Sequence, residues 1–348
     1  MNERPERGRE NRMEENRNIL ILSAGSRNKI VQYYKKALEK EARECGFPDR
    51  GKVIAADCSP YAPALYDADF REIVPRIDAE GYLECVLALV EKHHVRGCFS
   101  LIDPELSLLA ANAERFRAIG CTPMISPPDA VETSFHKYRM FGALREAGIR
   151  TPACYRTAEE LENAMREGKE SFPVFVKPED GSASMQIRRV EDGEMLRLLL
   201  ERDRSLMIQT FMDGQEYGAD LYVDMLSGKC VSLFLKKKLK MRAGETDKAV
   251  SVHDEAAFRL IRDFAERTGF RGQLDMDLFL QDDGWYLSEV NPRYGGGYPH
   301  AQESGLDMPS LYLNNLRGIE NPVNIGDYED GVVMMKYNDV VILRGERA

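Results

Sequence analysis

The stretch Gln273-Leu274-Asp275-Met276-Asp277-Leu278-Phe279-Leu280, a turn at Asp282-Asp283-Gly284 and the return Trp285-Tyr286-Leu287-Ser288-Glu289-Val290-Asn291-Pro292-Arg293 read as a β-hairpin rich in oxygen ligands. Strict alternation puts Asp275, Asp277 and Phe279 on one face of the first strand, and Leu287, Glu289 and Asn291 on one face of the second. Two carboxylates and an amide can converge there. Such oxygens are the hard ligands that magnesium takes together with water and phosphate oxygens, so a nucleotide would complete the site. Without cations nearby, the same acids read as a solvated face.

Two lysines supply the cations. Lys137 sits in Ser134-Phe135-His136-Lys137 on a helix expected from Val131 to Ala147, and Lys177 closes the apolar strand Val174-Phe175-Val176. After it, Gly181-Ser182-Ala183-Ser184 is a small-residue turn whose backbone N–H groups can approach phosphate oxygens, or an ordinary hairpin connection. The peptide Gln209-Thr210-Phe211-Met212 can offer backbone groups to an adenine edge, and Glu216 can accept from ribose hydroxyls. On the strand Lys236 to Arg242, alternation turns Lys236, Lys238 and Arg242 toward a γ-phosphate or acid substrate; the competing reading is a lysine-protected sheet edge. Gly295-Gly296-Gly297-Tyr298-Pro299 is either part of an acceptor pocket or a flexible loop.

The elements that must position these residues fall into two grammars. Ile19 to Leu22, Val53 to Asp57 and Gly97 to Ile102 are apolar strands, alternating with helices from Lys29 to Glu44 and from Tyr82 to His93. That order predicts an α/β domain with a parallel sheet, ending at the proline-bearing stretch Thr122 to Pro128. Asp57, Asp103 and Glu105, at the strand ends, either face a ligand or cap helices. Beyond Thr151-Pro152 the strands Pro173 to Pro178, Ile187 to Val190, Leu206 to Phe211 and Tyr217 to Met225, with a helix from Glu255 to Thr268, predict an α+β second half. The expected boundaries are a disordered tail over 1–18, an α/β domain over 19–128 and a second domain over 129–348, divided near 151–212 and 213–348.

Composition narrows the partners. The chain has 348 residues, enough for about two domains, and 43% of them are hydrophobic. With 48 basic and 58 acidic side chains the net charge is -10, which opposes a broad nucleic-acid or anionic-membrane surface but leaves room for a local phosphate pocket. Seven scattered cysteines without knuckle or redox spacing predict a reducing cytoplasm. No run approaches the ~18 apolar residues of a membrane helix, and no signal peptide is expected.

Taken in order, Lys137 with Ala147-Gly148-Ile149-Arg150-Thr151-Pro152, FVKP with its GSAS turn, QTFMDGQEYGAD, and LSEVNPRYGGGYP resemble the ATP-grasp superfamily over nearly the whole chain. SAGSR, DCSPYAPA, LIDPEL and GVVMMKYNDVV resemble stand-alone proteins related to the large subunit of carbamoyl-phosphate synthase. The resemblance implies an ATP-grasp fold behind a Rossmann-like pre-ATP-grasp domain, with a lid over residues 151–212. It implies ATP phosphates on Lys137, Lys177 and the turn holding Gly181, Ser182 and Ser184. The adenine pocket falls to Gln209, Thr210, Phe211 and Met212, and ribose to Glu216. Two magnesium ions, or manganese, fall to Asp277, Glu289 and Asn291, and phosphoryl stabilisation to Arg293. His136 and Thr210 depart from the family pattern, which has acids there, and Asp277 stands where Glu is common.

The activity so implied is carboxylate–amine ligation through an acyl phosphate, with ADP as product and a small molecule, amino acid or peptide as substrate. Phosphorylation of bicarbonate or carbamate and a non-catalytic ATP-binding module are the alternatives. Binding adenine needs none of Asp277, Glu289, Asn291 and Arg293, which disfavours the second. A nicotinamide dehydrogenase is disfavoured because Ser23-Ala24-Gly25-Ser26-Arg27 lacks the dinucleotide glycine triplet. A second copy of the chain and an ammonia-supplying partner are both kept open.

Overall fold

Ile19, Leu20, Ile21 and Leu22 are all fully buried, as a strand covered on both faces must be. They form β1 (Asn18–Leu22) in a computed structural model that describes residues 17–180, 188–242 and 244–345. The chain continues through α1 (Asn28–Cys45), β2 (Val53–Asp57), β3 (Phe70–Ile73), α2 (Tyr82–Lys92), β4 (Val95–Ser100), α3 (Asp103–Ala111), α4 (Ala113–Ala118) and β5 (Thr122–Pro123). The five strands pair in parallel in the order β3-β2-β1-β4-β5. β5 falls where the sequence predicts only a punctuating loop, and the short exposed β3 was not expected. Two residues, one of them proline, carry no alternation from which a strand could be read.

Next come α5 (Pro128–Phe135), α6 (Lys137–Glu146), β6 (Cys154–Tyr155), α7 (Ala158–Arg166), β7 (Val174–Pro178), β8 (Arg188–Val190), α8 (Gly193–Arg202) and β9 (Leu206–Thr210). The single helix expected from Val131 to Ala147 is two, broken at His136 with φ -100° and ψ 101°. The break is tertiary in origin. The Lys137 N–H donates to the Glu179 carbonyl at 2.9 Å, and His136 bridges to Asp180, so the start of α6 is docked on the end of β7. Strands β6-β9-β7-β8 form a small antiparallel sheet with its own core of Leu161, Val174, Val176, Val190, Leu196 and Ile208.

The remainder is β10 (Gln215–Val223), β11 (Cys230–Arg242), β12 (Glu245–Ser251), α9 (Glu255–Thr268), β13 (Gly272–Gln281), β14 (Gly284–Asn291), α10 (Tyr298–Glu303), α11 (Met308–Leu316), β15 (Asn324–Ile325) and β16 (Val333–Met335). The large sheet runs β14-β13-β10-β11-β12-β16, with β15 beside β11. Asp254 caps α9 by accepting from the Ala256 and Ala257 N–H groups, and Gly269 ends it at φ +75°. One face of the parallel sheet shares its core with this large sheet. Tyr34 packs on Phe99 at 4.8 Å and edge-on to Tyr294, and the two tyrosine hydroxyls lie 2.9 Å apart. That shared core sets the carboxyl ends of β1 and β4 over the large sheet. No helix among the described residues is long and apolar enough to cross a membrane.

Candidate active site

Asp277 and Glu289 are direct partners across β13 and β14, and Asp275 is the partner of Asn291. Directly opposed residues of an antiparallel pair share a face, so the four oxygen-bearing side chains stand on one surface. Leu287 does not join them. The ladder pairs Asp277 with Glu289 but Leu278 with Leu287, so Ser288 is the extra residue of a bulge, and Leu287 is fully buried on the core face. Burial and the nearby Asp277 carboxylate raise the Glu289 pKa, while Lys177 and Lys137 pull it down. Among the described residues no three His, Cys, Asp or Glu side chains group as a metal site. Two carboxylates and an amide instead suit a divalent ion that keeps water and phosphate oxygens in its shell.

The lysines meet beside this pair. Lys137, the first residue of α6, lines two adjoining hollows with Glu289, one of which Asp103 and Asn291 also line and the other Gln209 and Thr151. Burial lowers the Lys137 pKa; Glu289 raises it and Lys177 lowers it further. Lys177 is 6% exposed, and among the described residues its ammonium has no hydrogen bond or ion pair. The docking of α6 on β7 therefore brings two cations from segments 40 residues apart to one carboxylate.

Lys236 and Lys238 both point inward across β10, where Gly218 leaves room: a Cβ there would lie 3.0 Å from Lys236 Cε and 3.3 Å from Lys238 Cε. Lys238 donates to Asp277 at 2.5 Å and to Glu216 at 2.7 Å. Burial alone would lower its pKa, but these two carboxylates raise it. Lys236 is taken up by the fully buried Asp220, whose own pKa burial raises. Arg242 corrects the expectation of an inward residue. It is exposed and pairs with Asp247 at 3.3 Å, because register shifts on either side of Lys240 break the alternation.

Arg293 is gripped from two directions, by Asp103 at 2.9 Å and Asp275 at 3.2 Å. Burial opposes its charge and the two acids restore it, raising its pKa. The glycines beyond leave room for charged side-chain ends. A Cβ at Gly295 would lie 2.2 Å from Asp275 Oδ1, at Gly296 2.7 Å from the Glu245 carboxylate and at Gly297 2.7 Å from Lys236 Nζ. In the small sheet, Gln209 and Met212 are buried and Phe211 packs edge-on to Phe175 at 5.0 Å. Gly181, Ser182 and Ser184 lie outside the described residues.

Residues 19–125 match the PylC-like, N-terminal domain, and residues 135–297 match the ATP-grasp domain. The chain carries an ATP-grasp domain behind a PylC-like N-terminal domain. A carbamoyl phosphate synthase large chain from Paenarthrobacter aurescens is 23% identical over 333 residues, covering 86% of this chain and 29% of its own length. This ATP-grasp chain thus spans under a third of that relative. The biotin carboxylase domain of the Hydrogenobacter thermophilus 2-oxoglutarate carboxylase, solved with MgADP and bicarbonate, aligns at a TM-score of 0.71 and 15% identity, covering 91% of this chain and 73% of that one. The L-amino acid ligase of Bacillus licheniformis aligns at 0.64 and 21% identity, covering 88% and 75%. These two likenesses establish the ATP-grasp fold.

Sequence reasoning left three residues of this ATP-grasp site without a role. Asp103, open between ligand and cap, is the partner of Arg293. Glu170 accepts from Thr210 Oγ1 at 2.5 Å, so a carboxylate from the loop before β7 stands beside the position where the family pattern has an acid. Glu245 joins the chain's first and last motifs. Nothing local marks any of the three. Asp57 and Glu105 turn out to be internal: Asp57 accepts from the Gly25 and Ser59 N–H groups, and buried Glu105 accepts from Ser23, Ser100 and Tyr82.

Proposed function

We propose that this chain is an ADP-forming carboxylate–amine ligase, using ATP with magnesium or manganese in the cytoplasm on a small acid and a small amine, without nucleic-acid or membrane partners. The observation that carries the reading is the meeting of Lys177, a largely buried side chain, with Lys137 beside the opposed carboxylates Asp277 and Glu289. Two ammonium groups beside one carboxylate leave a local surplus of positive charge, which a phosphate tail would offset. Asp277, Glu289 and Asn291 have the donor chemistry for the divalent ion, which when bound would spread charge over the γ-phosphate.

In this reading Lys137 and Lys177 hold the triphosphate in line with a carboxylate oxygen. That oxygen forms a bond to the γ-phosphorus as the bond to ADP breaks, giving an acyl phosphate. The amine then attacks the acyl carbon, orthophosphate leaves with the bonding pair, and the amine gives up a proton to solvent. Arg293, fixed by Asp103 and Asp275, offsets charge on the transferring group. Lys238 bridges Glu216 and Asp277 and so fixes where both carboxylates stand. The small sheet over residues 151–212 is the proposed lid that excludes water from the acyl phosphate.

A panel of carboxylic acids crossed with amines, read by nucleotide chromatography and product mass, tests the reading. ADP is the expected nucleotide product and AMP would overturn it; Glu289→Gln should abolish turnover with the fold intact. Bicarbonate as the phosphorylated acid is the second reading, favoured by the carbamoyl phosphate synthase relatives. ADP release with bicarbonate alone would select it.

A further inference from the structure

Arg27, Glu245 and Lys336 come from the loop before α1, the start of β12 and the residue after β16, yet they meet at one point. Arg27 donates to Glu245 Oε1 at 2.9 Å and Lys336 donates to Glu245 Oε2 at 2.8 Å. The Lys336 backbone is held as well, its N–H donating to the Asp247 carbonyl at 2.9 Å. Two cations share one carboxylate, so the group carries one surplus positive charge, and each cation keeps N–H donors that Glu245 does not use. Their side chains are 26% and 23% exposed, within reach of a solute.

Beside this group stands its electrical opposite. Arg293 serves two carboxylates, Asp103 and Asp275, leaving one surplus negative charge. The two groups flank successive residues of one loop, since Gly295 abuts Asp275 and Gly296 abuts Glu245. A surplus of positive charge and a surplus of negative charge therefore stand side by side along one loop, as the two ends of a zwitterion require. The negative group is the inner one, because Asp275 lies two residues from Asp277 on β13 and opposite Asn291. A zwitterion bound along this gradient has its amine toward the reacting centre and its carboxylate outward.

We propose that Arg27 and Lys336, held apart by Glu245, bind the α-carboxylate of a free amino acid that serves as the amine acceptor, with Asp275 and Asp103 facing its amino group. The assignment rests on the ligase reading and adds the class of the acceptor. It also accounts for the convergence of two terminal segments on the tip of a hairpin of the catalytic sheet, where a tie between sheets would need only one pair of opposite charges.

The test is a thermal-shift titration of the full chain saturated with MgADP, using each of the twenty L-amino acids, their α-carboxamides and the corresponding decarboxylated amines. At least one free amino acid is expected to raise Tm, with no shift from its carboxamide or decarboxylated amine at ten times the concentration. Arg27→Gln and Lys336→Met are expected to raise the half-saturating concentration at least tenfold while the shift caused by MgADP stays at the wild-type value. Equal response to acids and carboxamides, no response to any amino acid, or variants that titrate like wild type would overturn the assignment and leave the ligase reading standing. Loss of the MgADP shift in both variants would also overturn it, making the group a structural tie. Absence of that shift in the wild type would instead strike the ligase reading, and the acceptor site with it.

Discussion

Glu289 stands opposite Asp277 because Ser288 is looped out of the β13–β14 ladder. The extra residue lets Leu287 and Glu289, two apart in sequence, occupy opposite faces. Leu287 belongs to the core and is fully buried, so Leu287→Ala should cost about 3 kcal/mol in urea denaturation, whereas Ser288→Ala should stay within about 0.5 kcal/mol. Equal costs would mean that the strand keeps regular alternation and that Glu289 faces elsewhere.

Lys177 gives a different combination of effects. Its side chain is largely buried and its charge faces Glu289, so Lys177→Met removes a cation from the phosphate site and keeps the stem's packing volume. Stability without nucleotide should stay within about 1 kcal/mol of wild type, while the MgATP concentration for half-maximal thermal shift rises at least tenfold. A variant that binds MgATP like wild type would remove β7 from the phosphate site.

Gly295 tests how closely the loop must approach the sheet. An alanine Cβ would sit 2.2 Å from Asp275 Oδ1, the carboxylate that holds Arg293. Relief must come from moving Asp275 or the loop, at about 1–3 kcal/mol. Gly295→Ala should therefore lower ADP formation at least a hundredfold while circular dichroism stays native, and unchanged turnover would detach Arg293 and its acids from the chemistry.

Local pattern carries the strands and their residues but not the junctions between them. The bounds of α9 and β2 and the hairpin with Asp277 and Glu289 follow from periodicity and turn chemistry in single stretches. The bulge at Ser288 was hidden because one added residue reverses the face of everything before it, and Leu287 looks the same on either face. The break at His136 has neither glycine nor proline to mark it; the contacts of α6 with Glu179 and Asp180 impose it. Glu245 was illegible for a simpler reason. Its partner Arg27 is 218 residues away, and no period in the chain reports a pairing at that distance.

His300 is a core histidine whose burial can be read by pH. It is 3% exposed, its Nε2–H donates to the Val332 carbonyl at 2.9 Å, and its ring packs edge-on to Phe234 at 4.8 Å. Burial, with Lys236 nearby, lowers its pKa from 6.5 to about 4. Between those values the unfolded chain takes up a proton that the folded chain refuses, so this residue's contribution is whole above pH 6.5 and declines as the pH falls toward 4. Allowing for partial screening, the loss from pH 7.5 to pH 5 should be about 1–2 kcal/mol. Asp224, which accepts from the Ser227 N–H and from Asn315 and Asn321, has its pKa lowered to about 2 despite burial, so its own loss begins only near pH 3.8 and leaves the histidine window clear. Urea midpoints at pH 7.5, 6 and 5 should therefore fall less steeply for His300→Gln than for wild type at unchanged m-value. Parallel curves would mean that the imidazole is protonated as readily in the fold as in the unfolded chain.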